Sequence, residues 1–279
     1  MLGCMRILVA GCGYVGAALA AARTAAGDTV HALRRSEAAP PAGARALRAD
    51  LTRPETLEGL PAVDAVVFAP TPDTPDEAGY RRTYVEGARH LAVAIARESG
   101  AARWIHVSST AVFEVDDGSW VEESTPTRGE GFRAACLLAS EAVPVTAGFR
   151  TTALRFGGIY GPGRTGVIRR IRSRQAVSRP RYTNRIHRDD VAAAIRHVLA
   201  LADPPACLIG VDRDPAAESD VNEWIAAHVG APAPPRAAAA PTSGKRCRSD
   251  RLVASGFAFS FPDYRAGYAP LLEEEEGGG

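Results

Sequence analysis

Residues 6–16, RILVAGCGYVG, decide the fold. Ile7, Leu8, Val9 and Ala10 form a short apolar run, the pattern of a parallel strand buried on both faces. Gly11, Gly13 and Gly16 follow at G-x-G-x-x-G spacing, and residues 14–26 read as an Ala-rich helix. Strand, glycine turn and helix in this order make a dinucleotide-binding fingerprint. One glycine forms the turn, one lets backbone approach a pyrophosphate, and one lets helix pack on strand. The pyrophosphate then sits at the positive end of the helix. Taken alone, the glycine spacing also suits a plain tight turn; the flanking strand and helix favour the nucleotide.

The pattern repeats outward from this unit. Residues 29–33, 46–49, Ala65–Phe68 and 104–107 read as further strands, and residues 80–99 as a helix with Tyr84, Ala88, Leu91 and Ile95 on one face. Alternating strands and helices predict a doubly wound α/β fold of Rossmann type with a parallel sheet. Arg34, Arg35 and Ser36 follow the second strand, where an NAD-selective fold places an acid against the ribose 2′-hydroxyl. Two guanidinium groups and a hydroxyl suit a 2′-phosphate instead, so NADP is favoured over NAD. A solvated basic turn is the bland alternative.

Composition sets outer bounds. The 279 residues suffice for one large or two closely joined domains, and the hydrophobic share of 46% is that of an ordinary globular chain. A net charge of +1 gives no general pull toward nucleic acid or membrane. Cys4, Cys12, Cys136, Cys207 and Cys247 are odd in number and scattered, which predicts reduced thiols in a cytoplasmic setting and neither zinc nor a disulfide framework. Val9-Ala10-Gly11-Cys12 imitates a lipoprotein cleavage box. Arg6 leaves too short an apolar run before it for a secretory signal, which needs about 7–15 apolar residues.

Four ordered stretches resemble one family. WIHVSSTAVF (residues 104–113) looks like the fifth strand of extended short-chain dehydrogenases/reductases, the NAD-dependent epimerase/dehydratase superfamily, with its S-S-x-x-V-Y-G pattern. LRFGGIYGPGR (154–164) resembles the sixth strand and its loop, and NRIHRDDVAAAI (184–195) the I-H-V-D-D-x-A motif. Residues 244–272 resemble the C-terminal end. The resemblance implies a dinucleotide-binding domain over 1–160 and a smaller substrate-side region over 161–272 with the chain crossing between them; residues 273–279, EEEEGGG, read from their composition as a flexible acidic and glycine tail. It implies a cofactor lined by Gly11, Cys12, Gly13, Tyr14, Val15, Gly16, Arg34, Arg35, Ser36, Asp50, Leu51, Ala69, Pro70, Thr71, Ser108 and Phe156. It also implies a homodimer formed through the helices at 80–99 and 131–142.

The resemblance departs from the family at its catalytic Tyr-x-x-x-Lys pair. The helix within 131–142 holds neither residue; the nearest register gives Phe132 and Cys136, and Phe113 replaces the tyrosine of the strand motif. This resembles the family's atypical subgroup, which keeps the cofactor fold. Ser109 is then the best surviving hydrogen-bond donor, with Glu123 (or its neighbour Glu122) and Tyr160 as candidate proton donors. Arg164, Arg169, Arg170, Arg172, Arg174, Arg179, Arg181, Arg185 and Arg188 crowd one stretch with no acid until Asp189, as an anionic small-molecule substrate or a solvated basic face would require. Three functions stay open: an NADP-dependent reductase of a small carbonyl, imine or enone, a non-redox isomerase, lyase or cyclase, and a nucleotide sensor.

Overall fold

The apolar run at residues 7–10 is an inner strand of a seven-stranded sheet. A computed structural model describes residues 4–100, 102–237 and 243–277. The strands are β1 (Arg6–Ala10), β2 (Thr29–Arg34), β3 (Arg45–Arg48), β4 (Ala65–Phe68), β5 (Arg103–Ser109), β6 (Arg150–Phe156) and β7 (Cys207–Gly210). Their spatial order is β7-β6-β5-β4-β1-β2-β3. The pairs β1–β2, β1–β4, β2–β3 and β4–β5 are parallel. Ala153 N–H donates to Ala206 O at 2.8 Å and Gly157 N–H to Gly210 O at 3.1 Å, a constant offset that runs β7 parallel to β6. The order reverses at β1, which makes this the doubly wound α/β fold of Rossmann type.

Apolar strands need cover on both faces, and the helices supply it. Leu8, Leu33, Val66, Phe68 and Trp104 share one core cluster with Leu91 and Ile95 of helix α2 (Gly87–Ser99). Helix α1 (Tyr14–Ala25) buries Val15, Leu19 and Ala20. Helix α3 (Phe132–Thr146) buries Ala134, Cys136, Leu137 and Ser140. The helix expected over 80–99 starts earlier, at Glu77, and passes through a π-helical segment, Arg81–Glu86, before α2. That wider turn puts Thr83 and Val85 into the interior.

The chain packs into two compact units, and it passes between them repeatedly. The first comprises the described residues of Met1–Glu114, Pro126–Arg155 and Ala192–Leu208; the second comprises those of Val115–Thr125, Phe156–Val191 and Ile209–Gly279. The second unit has its own core of Tyr160, Ile168, Ile171, Val221, Ile225, Tyr264, Tyr268 and Leu271. Short strand pairs brace it: Gly158–Tyr160 with Arg185–His187, and Trp120–Val121 with Arg246–Cys247. Helix Tyr264–Gly277 runs through residues 273–277, where the sequence predicts a flexible end. Residues 278 and 279, and 238–241 of the Pro- and Ala-rich stretch at 231–241, lie outside the described residues. No helix among the described residues is long and apolar enough to cross a membrane.

Candidate dinucleotide site

The glycine turn ties three strand ends together. Gly11 and Cys12 N–H both donate to Leu33 O at 3.1 Å, and Ala69 N–H donates to Ala10 O at 2.8 Å. Gly11 has φ +92°, a left-handed conformation that suits glycine, and a Cβ there would lie 2.5 Å from the Ala69 carbonyl oxygen. Pro70 closes the same contact, since its nitrogen would lie 2.6 Å from that Cβ. A Cβ at Gly16 would come within 2.5 Å of Gly11 O, so α1 presses directly on its own turn. Gly13 differs from both. A Cβ there would meet nothing within 4 Å. Gly13 is also the N-cap of α1, which has no side-chain cap and no acid in its first turn. The helix therefore presents its positive end beside open space.

A basic edge borders this turn. Arg34 closes β2, and its Nη2 lies 3.7 Å from Cys12 Sγ. Its Nε is buried with no hydrogen-bond partner. Burial pushes the Cys12 thiol up, outweighing Arg34. Arg35 grips Asp73 with both Nη atoms, Nη1 at 2.5 Å from Oδ2. That contact holds the Asp73 carboxyl below the usual carboxylate range. Ser36 and Thr71 are exposed. Asp50 Oδ1 is taken by Thr52, from N–H at 2.9 Å and from Oγ1 at 2.8 Å. Leu51 is a core residue, 7% exposed, and its carbonyl lies 2.9 Å from His90 Nδ1.

The end of β5 carries two serines with different surroundings. Ser108 is buried and donates to Glu141 Oε1 at 2.5 Å. Glu141 in turn takes Arg155 Nε at 3.1 Å and Nη2 at 2.7 Å, and the Arg155 guanidinium carbon lies 5.0 Å from the Phe113 ring centre. A partly buried carboxylate thus joins β5, α3 and β6. Ser109 is half-buried and accepts Ala111 N–H at 3.1 Å. On α3, Phe132 meets Tyr80 edge-on at 5.6 Å and Cys136 is buried. Burial pushes the neighbouring Tyr84 phenol up to about 12. Ser108–Glu141–Arg155 went unseen in the sequence, because nothing local marks Glu141 among the alanines and leucines of its helix.

Phe156, Tyr160 and Glu123 belong to the second unit. Phe156 is 1% exposed, with its ring 2.3 Å from where a Gly210 Cβ would stand. Tyr160 stacks on Tyr268 at 4.5 Å, and its hydroxyl is buried with no hydrogen-bond partner. Burial, with Asp212 adding to it, drives that phenol's pKa far up. Glu123 accepts Ile209 N–H at 2.9 Å and faces Arg251 at 3.6 Å. Glu122 is exposed and accepts the Ser124 hydroxyl. Asp190 accepts Ser260 and Phe261 N–H, each at 2.9 Å. Burial raises Asp212 to about 8.

Residues 7–210 match the model of the NAD dependent epimerase/dehydratase family. The chain resembles the solved structure of a Methylobacillus flagellatus protein described as an NAD-dependent epimerase/dehydratase, at 37% identity and TM-score 0.84, covering 98% of this chain and 99% of that one. It also resembles the human epimerase family protein SDR39U1 crystallised with NADPH, at 22% identity and TM-score 0.80, covering 96% and 99%. WbmG of Bordetella bronchiseptica, crystallised with NAD, matches at 18% identity and TM-score 0.84, covering 99% and 96%. These two remote likenesses show the fold. No curated protein matches the chain.

Proposed function

The chain belongs to the NAD dependent epimerase/dehydratase family, and from that membership we propose that it is an NADP-dependent oxidoreductase reducing a small activated carbonyl, imine or enone. Family membership supports a nicotinamide dinucleotide, and the residues fit one. The open space over Gly13, the uncapped positive end of α1 and the unpartnered Arg34 Nε suit a pyrophosphate and an additional phosphate. The observation that carries the NADP reading is Arg34 folded against the glycine turn, with Arg35 beside it, where an acid would select NAD.

In this reading the glycine turn would hold the pyrophosphate, and Arg34 and Arg35 would hold the 2′-phosphate. Bound NADPH supplies the hydride. Ser109 Oγ already accepts Ala111 N–H, which leaves its own O–H to donate to the substrate oxygen or nitrogen. Glu123 is held by Ile209 and Arg251, partners that support a structural role. Tyr160, with its raised pKa, is a poor acid. The final proton comes from water. The exposed arginines 169, 170, 174, 179 and 181 favour an anionic substrate. A second reading, nucleotide sensing without turnover, draws support from the sequence of α3, whose nearest register sets Phe132 and Cys136 against the family's catalytic pair.

Calorimetry tests the cofactor. NADPH should bind the parent more tightly than NADH, and Arg34→Ala should erase most of that difference; equal parent affinities refute it. With a substrate in hand, Ser109→Ala should slow NADPH oxidation. An unchanged rate removes Ser109 from the mechanism, and the absence of any NADPH oxidation favours the sensor or a non-redox isomerase, lyase or cyclase.

A further inference from the structure

The Arg35–Asp73 pair crosses the candidate site. Arg35 directly follows β2 and Asp73 stands in the loop after β4, the two strands that flank β1 and its glycine turn. The pair therefore joins the loops on either side of the turn. Its geometry is a fork, with Nη1 on one carboxylate oxygen and Nη2 on the other. This is also how a guanidinium takes a phosphate, by two parallel N–H donors. One fork cannot serve both anions in this way.

We propose that Asp73 is a specificity-determining residue, an internal carboxylate that competes with the dinucleotide's 2′-phosphate for Arg35 and thereby sets how strongly the chain prefers NADP(H) over NAD(H). The proposal rests on the cofactor reading above and adds a residue to it. NADH carries no 2′-phosphate, so it leaves the pair intact. NADPH must break the pair and bring a further negative charge beside Asp73. The exchange is accessible. The Arg35 and Asp73 side chains are 50% and 58% exposed, so no core is disturbed when they part. Arg82 lies near enough to Asp73 to favour its charged form, so the carboxylate keeps a neighbouring cation when Arg35 leaves it. Arg34 is arranged differently, folded back on Cys12 with its Nε buried. Of the two arginines, Arg35 is thus the one whose availability the chain itself regulates.

The test is a double-mutant cycle on the full chain, with NADPH and NADH dissociation constants measured by calorimetry for the parent, Asp73→Asn, Arg35→Ala and the double variant. Asp73→Asn should tighten NADPH by up to about fivefold, the upper end for a solvent-exposed ion pair, and leave NADH unchanged. The gain should shrink as salt rises, because the competing charges are solvated. Arg35→Ala should weaken NADPH, and adding Asp73→Asn to it should change nothing further. An intact NADPH preference that Asp73→Asn leaves untouched overturns the proposal while the cofactor reading survives. An equal shift of both dinucleotides, or a gain that persists without Arg35, also overturns it. A parent that binds NADPH and NADH equally takes down the cofactor reading, and the proposal with it.

Discussion

His106 shows how far a single buried group can be pushed. Its side chain is fully enclosed, 4.9 Å from the Phe68 ring centre, with Nε2 3.1 Å from Ser140 Oγ. Burial alone lowers its pKa from 6.5 to about 3. The unfolded chain therefore takes up a proton near 6.5 that the folded chain refuses until about 3, and stability falls as pH drops through that window. Asp212 works the other way. Its folded pKa of about 8 lies above the ordinary 3.8, so the folded chain keeps a proton that the unfolded chain releases, and stability falls as pH rises between those values. One proton limits either slope to about 1.4 kcal/mol per pH unit. In thermal melts, His106→Gln should lose less stability than the parent between neutral pH and pH 5. Asp212→Asn should gain on the parent toward pH 8. Parallel parent and variant curves would refute both assignments.

At the scale of elements, the strand–turn–helix around Gly11 was legible because it is local: a few consecutive residues specify it, and their spacing survives into the structure. What the spacing could not reveal was the division of labour among the glycines. Gly16 faces backbone and Gly13 faces open space. Gly16→Ala should thus destabilise the fold by about 1–3 kcal/mol through overpacking of α1 on its turn. Gly13→Ala should leave the melting midpoint nearly unchanged and weaken dinucleotide binding at least tenfold. Unfolding of the Gly13 variant, or its full binding strength, would reverse that assignment. Strands β1, β2, β4 and β5 were legible from their apolar runs, whereas the end of β6 was read only through its resemblance to the family. The short pairings were not, since Trp120–Val121 and Arg246–Cys247 carry two residues each and no periodicity. Long-range polar partners were equally hidden. Asp73 stands 38 positions from Arg35, and Glu141 stands 33 from Ser108.

At the scale of the whole molecule, two helices carry unexplained apolar surface. Val93 on α2 is 52% exposed and Val145 on α3 is 60% exposed, although each helix already buries one face in the first unit. Leu138, Ala142 and Val145 also border a shallow groove of about 260 Å³ beside Ala153 and Cys207. Such surface fits the expected homodimer through these helices. Light scattering at micromolar concentration should give twice the chain mass of 29.3 kDa, and Val145→Glu should return it to a monomer. A parent that scatters as a monomer rules the dimer out.

The divided path of the chain has a consequence for how such a protein is made and inherited. The first unit is complete only when Leu208 has been synthesised, and by then Val115–Thr125 and Phe156–Val191 of the other unit already interrupt it. On the ribosome, the sheet must wait for its last strand, β7, while stretches that belong elsewhere emerge before it. No uninterrupted stretch of the gene encodes the first unit alone. To graft that unit onto another protein, the interrupting segments have to travel with it or be replaced by linkers.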